Sequence, residues 1–294
     1  MTDLAAIVDK LCQASERDFY NPGTFDWPES VQMEDWFTSP ELISIYGMPA
    51  YDTMSEQNRR RLSFFEAINF FSLNIHGEKS LVEGLAKRLY AKNTKVVSPY
   101  LHHFLDEENK HMMYFGGFCT RYAGKVYPDR KMAFERDYAP GEEDFLFFVK
   151  VMIFEEIVDY YNVKMGVDDR LNSVARFINM MHHKDEARHL VFGRKVVTEL
   201  FAQHSPTWSA LTLQSVRDYI NGYLEATWKE YYNPAVYKDA GLADVCKDAG
   251  LADVYDLQKA AIAHPSSKAH RKKVSGSCVA FLLKNGILLE EPSL

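Results

Sequence analysis

The chain has 294 residues, is 47% hydrophobic and 14% aromatic, and carries a formal net charge of −7. That length and apolar content suffice for a large packed core, and the negative charge argues against non-specific binding to nucleic acid or to an acidic membrane surface. The four cysteines, Cys12, Cys119, Cys246 and Cys278, lie far apart and form no CxxC pair, so neither a zinc knuckle nor a disulfide framework is expected.

The opening stretch MTDLAAIVDK carries acidic residues and no long apolar run, unlike a secretory signal. No run of about 18 apolar residues occurs, so no transmembrane helix is expected. The expectation is a soluble, cytoplasmic protein with reduced thiols and with neither nucleic acid nor membrane as a partner.

Residues 1–52 read as an N-terminal helix followed by an irregular arm, interrupted by NPG, WPES and SPE. TMSE (Thr53 to Glu56) has the form of a capping box and opens a helical pattern running to about Lys92, with a bend expected near Asn74–Gly77. NTKVVSP is a break. Ser98 then serves as a cap with Pro99 at the first helical position, and the helix runs to Ala123 with Gly124 as its stop. YAPGEED is a loop, and a helix follows from about Glu142 to Met165, with Gly166 beyond it. The next helix spans about Arg170 to Gln203, and HSP opens another that ends before Asn233–Pro234. Alternating β patterns are nearly absent, so the fold class is all-α. A tandem duplication, KDAGLADVC (238–246) followed by KDAGLADVY (247–255), turns the copied apolar face by about half a revolution. The two copies cannot bury the same face in one straight helix, and the segment reads as peripheral.

Chemistry concentrates in HHKDEARH, residues 182–189. His182, Glu186 and His189 are spaced i, i+4, i+7 and fall within roughly 60° of one another on a helix. DEENKHMM supplies a matching pair, so that Glu108/His111 and Glu186/His189 are two ExxH pairs, each with an acid before the Glu (Glu107, Asp185) and a base before the His (Lys110, Arg188). Two such pairs on separate helices are half of the ligand set of a four-helix di-metal carboxylate site, the other half being one Glu from each remaining helix. Glu78 lies 30 residues before Glu108, and Glu155 lies 31 before Glu186, each a helix, a turn and a helix back. Glu83 is flanked by Lys79, Ser80, Ala86 and Lys87 and is expected to face water. Glu66 is far for one hairpin. Periodicity does not separate Glu155 from Glu156, because FFVKVMIFEEIVDYY is apolar on nearly every side and marks a central helix. Carboxylates bridge and neutralise two divalent ions, and neutral imidazole suits iron, although a carboxylate-rich set also suits manganese. Asp185 is the natural acceptor for the free N–H of a bound histidine. His102 and His103 are expected to be half-buried or surface residues.

The two ExxH pairs, the form of DEARH and the helix order resemble the ferritin-like di-iron oxygenases. FEEIVDYY is similar to the third ligand helix of the ribonucleotide reductase small subunit, which favours Glu155. Within that superfamily the chain most resembles the p-aminobenzoate N-oxygenase (AurF-type) family, over about residues 55–235, with His182-x3-Glu186-x2-His189 matching that family's last ligand helix. The first half matches less closely, the family's first ligand Glu lying somewhat further upstream than Glu78. The resemblance implies a ferritin-like bundle with a central four-helix di-metal core and flanking helices. One domain is expected over 1–294, made of an arm (1–52), a ligand-bearing core (53–235) and a peripheral segment (236–294). The resemblance implies two iron ions with O2 as co-substrate, held by Glu78, Glu108, His111, Glu155, His182, Glu186 and His189, with Asp185 and Arg188 behind them. On the helix His182 lies about 20° from His189, against about 120° for His183, which favours His182 as the third histidine. The implied activity is oxidation of an aryl or small primary amine to the hydroxylamine, nitroso or nitro level in a biosynthetic pathway. An electron-donor protein of ferredoxin or reductase type and a homodimer are expected with it. The alternatives are a di-iron hydroxylase or desaturase acting on carbon, or a non-enzymatic ferritin-like metal-binding protein. Phe70, Phe71, Phe148, Phe154 and Tyr160 are candidates for pocket walls.

Overall fold

The computed structural model describes residues 2–129 and 137–294, and every described element is helical apart from a single bridge. Four long helices carry the chemistry: α3 (Glu56–Arg88), α4 (Ser98–Phe118), α5 (Glu142–Val167) and α6 (Ser173–His204). They follow α1 (Thr2–Arg17) and α2 (Pro49–Asp52) and precede α7 (Ala210–Tyr231), α8 (Pro234–Asp239), α9 (Ala243–Asp248), α10 (Val254–Ala263) and α11 (Pro265–Lys284). α3 packs on α4 and α5 packs on α6 as two hairpins, which meet through α3–α5 and α4–α6 contacts. α1 covers α4 and α6, while α7 and α11 cover α5. The arm between α1 and α2 is tied down where Trp36 bridges Leu171 and Asn172 donates its backbone N–H to the Trp36 carbonyl at 2.7 Å.

Apolar residues on both sides explain why α5 is central: its buried set includes Phe145, Phe148, Val149, Met152, Ile153, Ile157 and Val158. The helix ends follow their caps. Ser55, not Thr53, caps α3, accepting from the Asn58 N–H, so the helix starts at Glu56; Thr53 instead closes α2. Ser98 is inside α4 rather than its cap: its hydroxyl accepts from the Tyr90 N–H and donates to the Thr94 carbonyl. α4 continues through a π turn, Cys119–Ala123, and stops at Gly124 with φ 63°, the left-handed conformation that glycine adopts without strain.

Gly166 does not terminate α5. It lies within the helix, where a Cβ would come 3.1 Å from the Met180 Cα, so its missing side chain lets α6 approach. α6 starts at Ser173 under an Asn172 cap rather than at Arg170, whose guanidinium pairs with Glu41 and Asp168. Ser205–Thr207 forms a single 3-10 turn, and Ser209 caps α7.

Candidate metal centre

Seven side chains from the four long helices converge inside the bundle. Glu78 comes from α3, Glu108 and His111 from α4, Glu155 from α5, and His182, Glu186 and His189 from α6; none is more than 1% exposed. They form two adjoining groups, Glu78–His111–His182 and Glu108–Glu155–Glu186–His189, within each of which the donor atoms all lie within 4.8 Å of one another. The first group has two imidazoles and one carboxylate, the second one imidazole and three carboxylates.

The carboxylates of Glu108 and Glu186 join the groups. Glu108 Oε2 is 3.2 Å from His111 Nδ1, while its Oε1 is 3.2 Å from His189 Nδ1. Glu186 Oε1 is 2.7 Å from His182 Nε2 and 3.3 Å from His189 Nδ1. Glu78 Oε1 lies 3.3 Å from His182 Nε2, and its Oε2 lies 3.7 Å from His111 Nδ1.

The outward ring nitrogens are held by acids in a crossed pattern. Asp185, which precedes Glu186 on α6, sits with Oδ2 3.1 Å from His111 Nε2 on α4. Glu107, which precedes Glu108 on α4, sits with Oε2 2.9 Å from His189 Nε2 on α6. Arg188 donates to both acids, to Glu107 at 2.6 Å and to Asp185. These bonds aim Nδ1 of both ExxH histidines inward. His182 is turned the other way: Nε2 points inward, and Nδ1 lies 2.8 Å from the Asn162 side-chain amide. Asn162 Oδ1 has no hydrogen-bond partner, and rotating the amide would bring that oxygen to an Nδ1–H.

The electrostatics follow from burial. Burial, with Glu186 beside it, holds the Glu155 carboxyl well above its usual range. Burial acts to raise Glu186 as well, but His189 and His182 outweigh it and hold that carboxyl well below the usual range. Burial alone would lower the His189 imidazole; Glu186 and Glu107 overcome it and push the group up to about 9. His111 is raised in the same way by Asp185 and Glu78.

The donors fit a pair of divalent cations. Both oxygens of Glu78, Glu155 and Glu186, together with Glu108 Oε1, His182 Nε2 and His189 Nδ1, are buried without hydrogen bonds. Such atoms are costly unless a ligand takes them. Four carboxylates match the charge of two divalent ions, and the mixed oxygen and imidazole set suits iron.

Competing residues lie elsewhere. Glu156 accepts from Arg194 Nε at 2.7 Å and faces away from the cluster. Glu66 binds Ser44, and Glu83 is exposed. His183 is half-exposed and pairs with Asp159 at 2.6 Å. His102 meets the Tyr90 hydroxyl, and half-buried His103 lies 4.0 Å from Glu16. Sequence reading gave no part to Asn162 or to Tyr20, whose hydroxyl donates to Asp185 Oδ2 at 2.9 Å from the arm. Asn162 did carry a signal: it is seven residues after Glu155, so it shares that residue's helix face. Tyr20 had none.

The chain matches the family P-aminobenzoate N-oxygenase AurF over residues 2–286. It belongs to the AurF family. AurF-type oxygenases use O2 and a di-iron centre, and this cluster supplies a donor set of that kind. Among solved structures, the chain is similar to an R2-like ligand-binding oxidase from Sulfolobus acidocaldarius, at 15% identity over 95% of this chain and 90% of that one, with a TM-score of 0.47. A variant R2-like ligand-binding oxidase with an aerobically reconstituted Mn/Fe cofactor matches at 15% identity over 92% of each chain, with a TM-score of 0.48. No curated protein matches the chain. The AurF-family chain is an all-α bundle whose four central helices carry a di-metal donor set, and a di-metal oxygenase acting on a small molecule. No described helix is long and apolar enough to cross a membrane.

Proposed function

We propose that the protein is an O2-dependent N-oxygenase that oxidises an aryl or small primary amine toward the hydroxylamine, nitroso or nitro level. The observation that carries this reading is His182, a third imidazole whose Nε2 lies among the cluster's carboxylates, beside Glu78 and Glu186. In this reading Glu78, Glu108, His111, Glu155, His182, Glu186 and His189 would hold the two iron ions. The chain 1–294 works as one cytoplasmic oxygenase domain, as a homodimer, with a ferredoxin- or reductase-type donor. Bound iron supplies O2 reduction and oxygen-atom transfer: each insertion takes two electrons and two protons from outside and releases the second oxygen atom as water.

The protein's own part is orientation and dryness. Glu107 and Asp185 fix the two ExxH rings through their Nε2 atoms. Phe104 stacks on His189 at 3.9 Å and Phe115 packs edge-on to His182 at 5.0 Å, which shields the imidazoles from water. The test is turnover of iron-loaded protein with a chemical reductant, 18O2 and a panel of arylamines and small primary amines, read by mass spectrometry. Label on nitrogen is the expected result. Label on carbon would move the assignment to a hydroxylase, and no label in any product would remove the oxygenase reading.

A further inference from the structure

A second site lies along the bundle from the metal donors. A cavity of about 390 Å³, a size that suits a small ligand, opens between α3, α5, α7, α11 and the arm. Its walls include Phe70, Tyr161, Trp228, Tyr231 and His270, with Glu66 among them. The rings form a continuous wall: Phe70–Tyr161 centroids are 5.3 Å apart, Tyr161–Tyr231 5.2 Å and Trp228–Tyr231 5.1 Å.

Glu66 is the unexplained member. It is buried at 7% exposure, and both of its hydrogen bonds, from the Ser44 N–H and hydroxyl, fall on Oε1. Oε2 is left without one, and no basic side chain among the described residues pairs with it. Burial pushes this carboxyl up to about 7, the two Ser44 bonds opposing only in part. The neighbouring His270 brings no positive charge: burial, with Lys273 and Arg271 nearby, pulls it down to about 4, and its Nε2 lies 3.0 Å from the Tyr161 hydroxyl. Lys273 is exposed on the cavity's rim. The cavity therefore offers a carboxylate oxygen without a cation, among electron-rich rings.

We propose that this cavity binds a primary ammonium group, held by the Glu66 carboxylate among the rings of Phe70, Tyr161, Trp228 and Tyr231. A charge-assisted bond to Oε2 and the attraction of a cation to aromatic faces act together, and both strengthen away from water. Glu66 is twelve residues before Glu78 on the same helix, a rise of about 18 Å, so an ammonium held there is away from the metal donors. The nitrogen held here is therefore not the one oxidised, and the site fits an amine substrate that carries a second amino group. It deepens the amine-oxidising reading and rests on it for the source of the ligand.

The test is calorimetric titration of iron-loaded protein, kept free of O2 and reductant, with benzylammonium, benzyl alcohol and benzoate. Benzylammonium is expected to bind at least tenfold more tightly than benzyl alcohol, and benzoate more weakly than either. Glu66→Gln, which keeps the volume and an oxygen for Ser44, is expected to remove that tenfold preference. Equal binding of the ammonium and the alcohol, or an unchanged preference in Glu66→Gln, would overturn the proposal. Should Glu66→Gln fold poorly, Tyr231→Leu supplies the readout: several-fold weaker ammonium binding is expected, and an unchanged affinity overturns it. The two readings fail separately. Glu66-dependent binding with no amine oxidised counts against the N-oxygenase alone, and amine oxidation with no Glu66 dependence counts against this site alone.

Discussion

His182 separates a generic two-histidine cluster from the one seen here, because it gives the Glu78 group two imidazoles while the other group keeps one. His182→Ala is expected to leave the fold intact and most of the iron bound, since six donors remain, and to lower amine oxidation about tenfold or more, at least ~1.4 kcal/mol in barrier. Iron content and turnover measured on the same sample check it; full activity would exclude a role for the third imidazole. That His182 shares a face with Glu186 and His189 was legible because i, i+4, i+7 spacing fixes a face without knowledge of the neighbours. Glu155 against Glu156 was not legible from periodicity, because α5 is apolar all round; the deciding partner, Arg194, comes from another helix. The crossing of Glu107 to His189 and Asp185 to His111 was out of reach for the same reason, since it depends on how α4 and α6 are placed. Glu66 carries a different prediction. Its carboxyl is raised from 4.5 to about 7, so between those values the folded state keeps a proton that the unfolded chain has lost. Glu66 therefore lowers stability as pH rises from about 4.5 to about 7, by about 3 kcal/mol in all, and contributes no further change above that. Denaturant unfolding across this range should show a flatter pH slope in Glu66→Gln than in wild type; matching slopes would show that the carboxyl titrates normally.

At the scale of elements, the long helices were readable from apolar periodicity, and their order and approximate ends agree with the structure. The errors sit at caps. Thr53 and Ser98 are both cap-type residues, yet the hydrogen bonds go from Asn58 N–H to Ser55 and from Tyr90 N–H to Ser98, which only the folded turn decides. Gly166 was misread in a related way, as lying beyond a helix that runs on to Val167. Gly77, at the end of the segment where a bend is expected, lies inside α3 and faces the Phe154 ring, where a Cβ would stand 2.2 Å from Cζ. That contact ties α3 to α5 one residue from Glu78 on one side and one residue from Glu155 on the other. Of the aromatics singled out as pocket walls, Phe70 lines the cavity beside Glu66, whereas Phe71 stacks on Phe115 and Phe148 packs on Phe192 in the core. Gly77→Ala is expected to cost about 1–3 kcal/mol through overpacking and to reduce iron bound per chain by displacing Glu78 relative to Glu155. Gly116→Ala on α4, where a new Cβ meets nothing within 4 Å, is the control and should be neutral or stabilising by up to ~1 kcal/mol. Thermal melts and iron analysis of both variants decide it: similar behaviour of the two would remove the packing argument.

Across the whole molecule, the parts differ in how much chemistry they carry. The duplicated tail shows how little a repeated sequence fixes by itself. Both copies put glycine in the left-handed region, Gly241 at φ 78° and Gly250 at φ 71°, and both close on an N–H from the following leucine, Leu242 to Tyr237 and Leu251 to Cys246. They then diverge: Asp244 lies inside α9, whereas its copy Asp253 caps α10 by accepting from the Tyr255 and Asp256 N–H groups. Leu242 is fully buried and Leu251 only half-buried, so tertiary contact rather than local sequence selects the outcome. The metal cluster has the opposite character, because all four central helices converge on it. Glu78, Glu108, Glu155 and Glu186 are each no more than 1% exposed, and their combined negative charge is what two divalent ions neutralise. Removing the ions leaves those carboxylates to repel one another inside the bundle, or to take up protons. Ions that bind only the folded chain stabilise it by about 4 kcal/mol at a thousand times their Kd. At roughly 2–4 °C per kcal/mol for a chain of this size class, iron-loaded protein should melt roughly 10 °C above the chelated form. In Glu186→Ala, which removes a carboxylate that reaches both groups, turnover should be lost and the loaded and chelated melts should draw together. Differential scanning calorimetry of the four samples reads this directly, and coincident melts of loaded and chelated wild type would show that the seven donors do not act as one metal site.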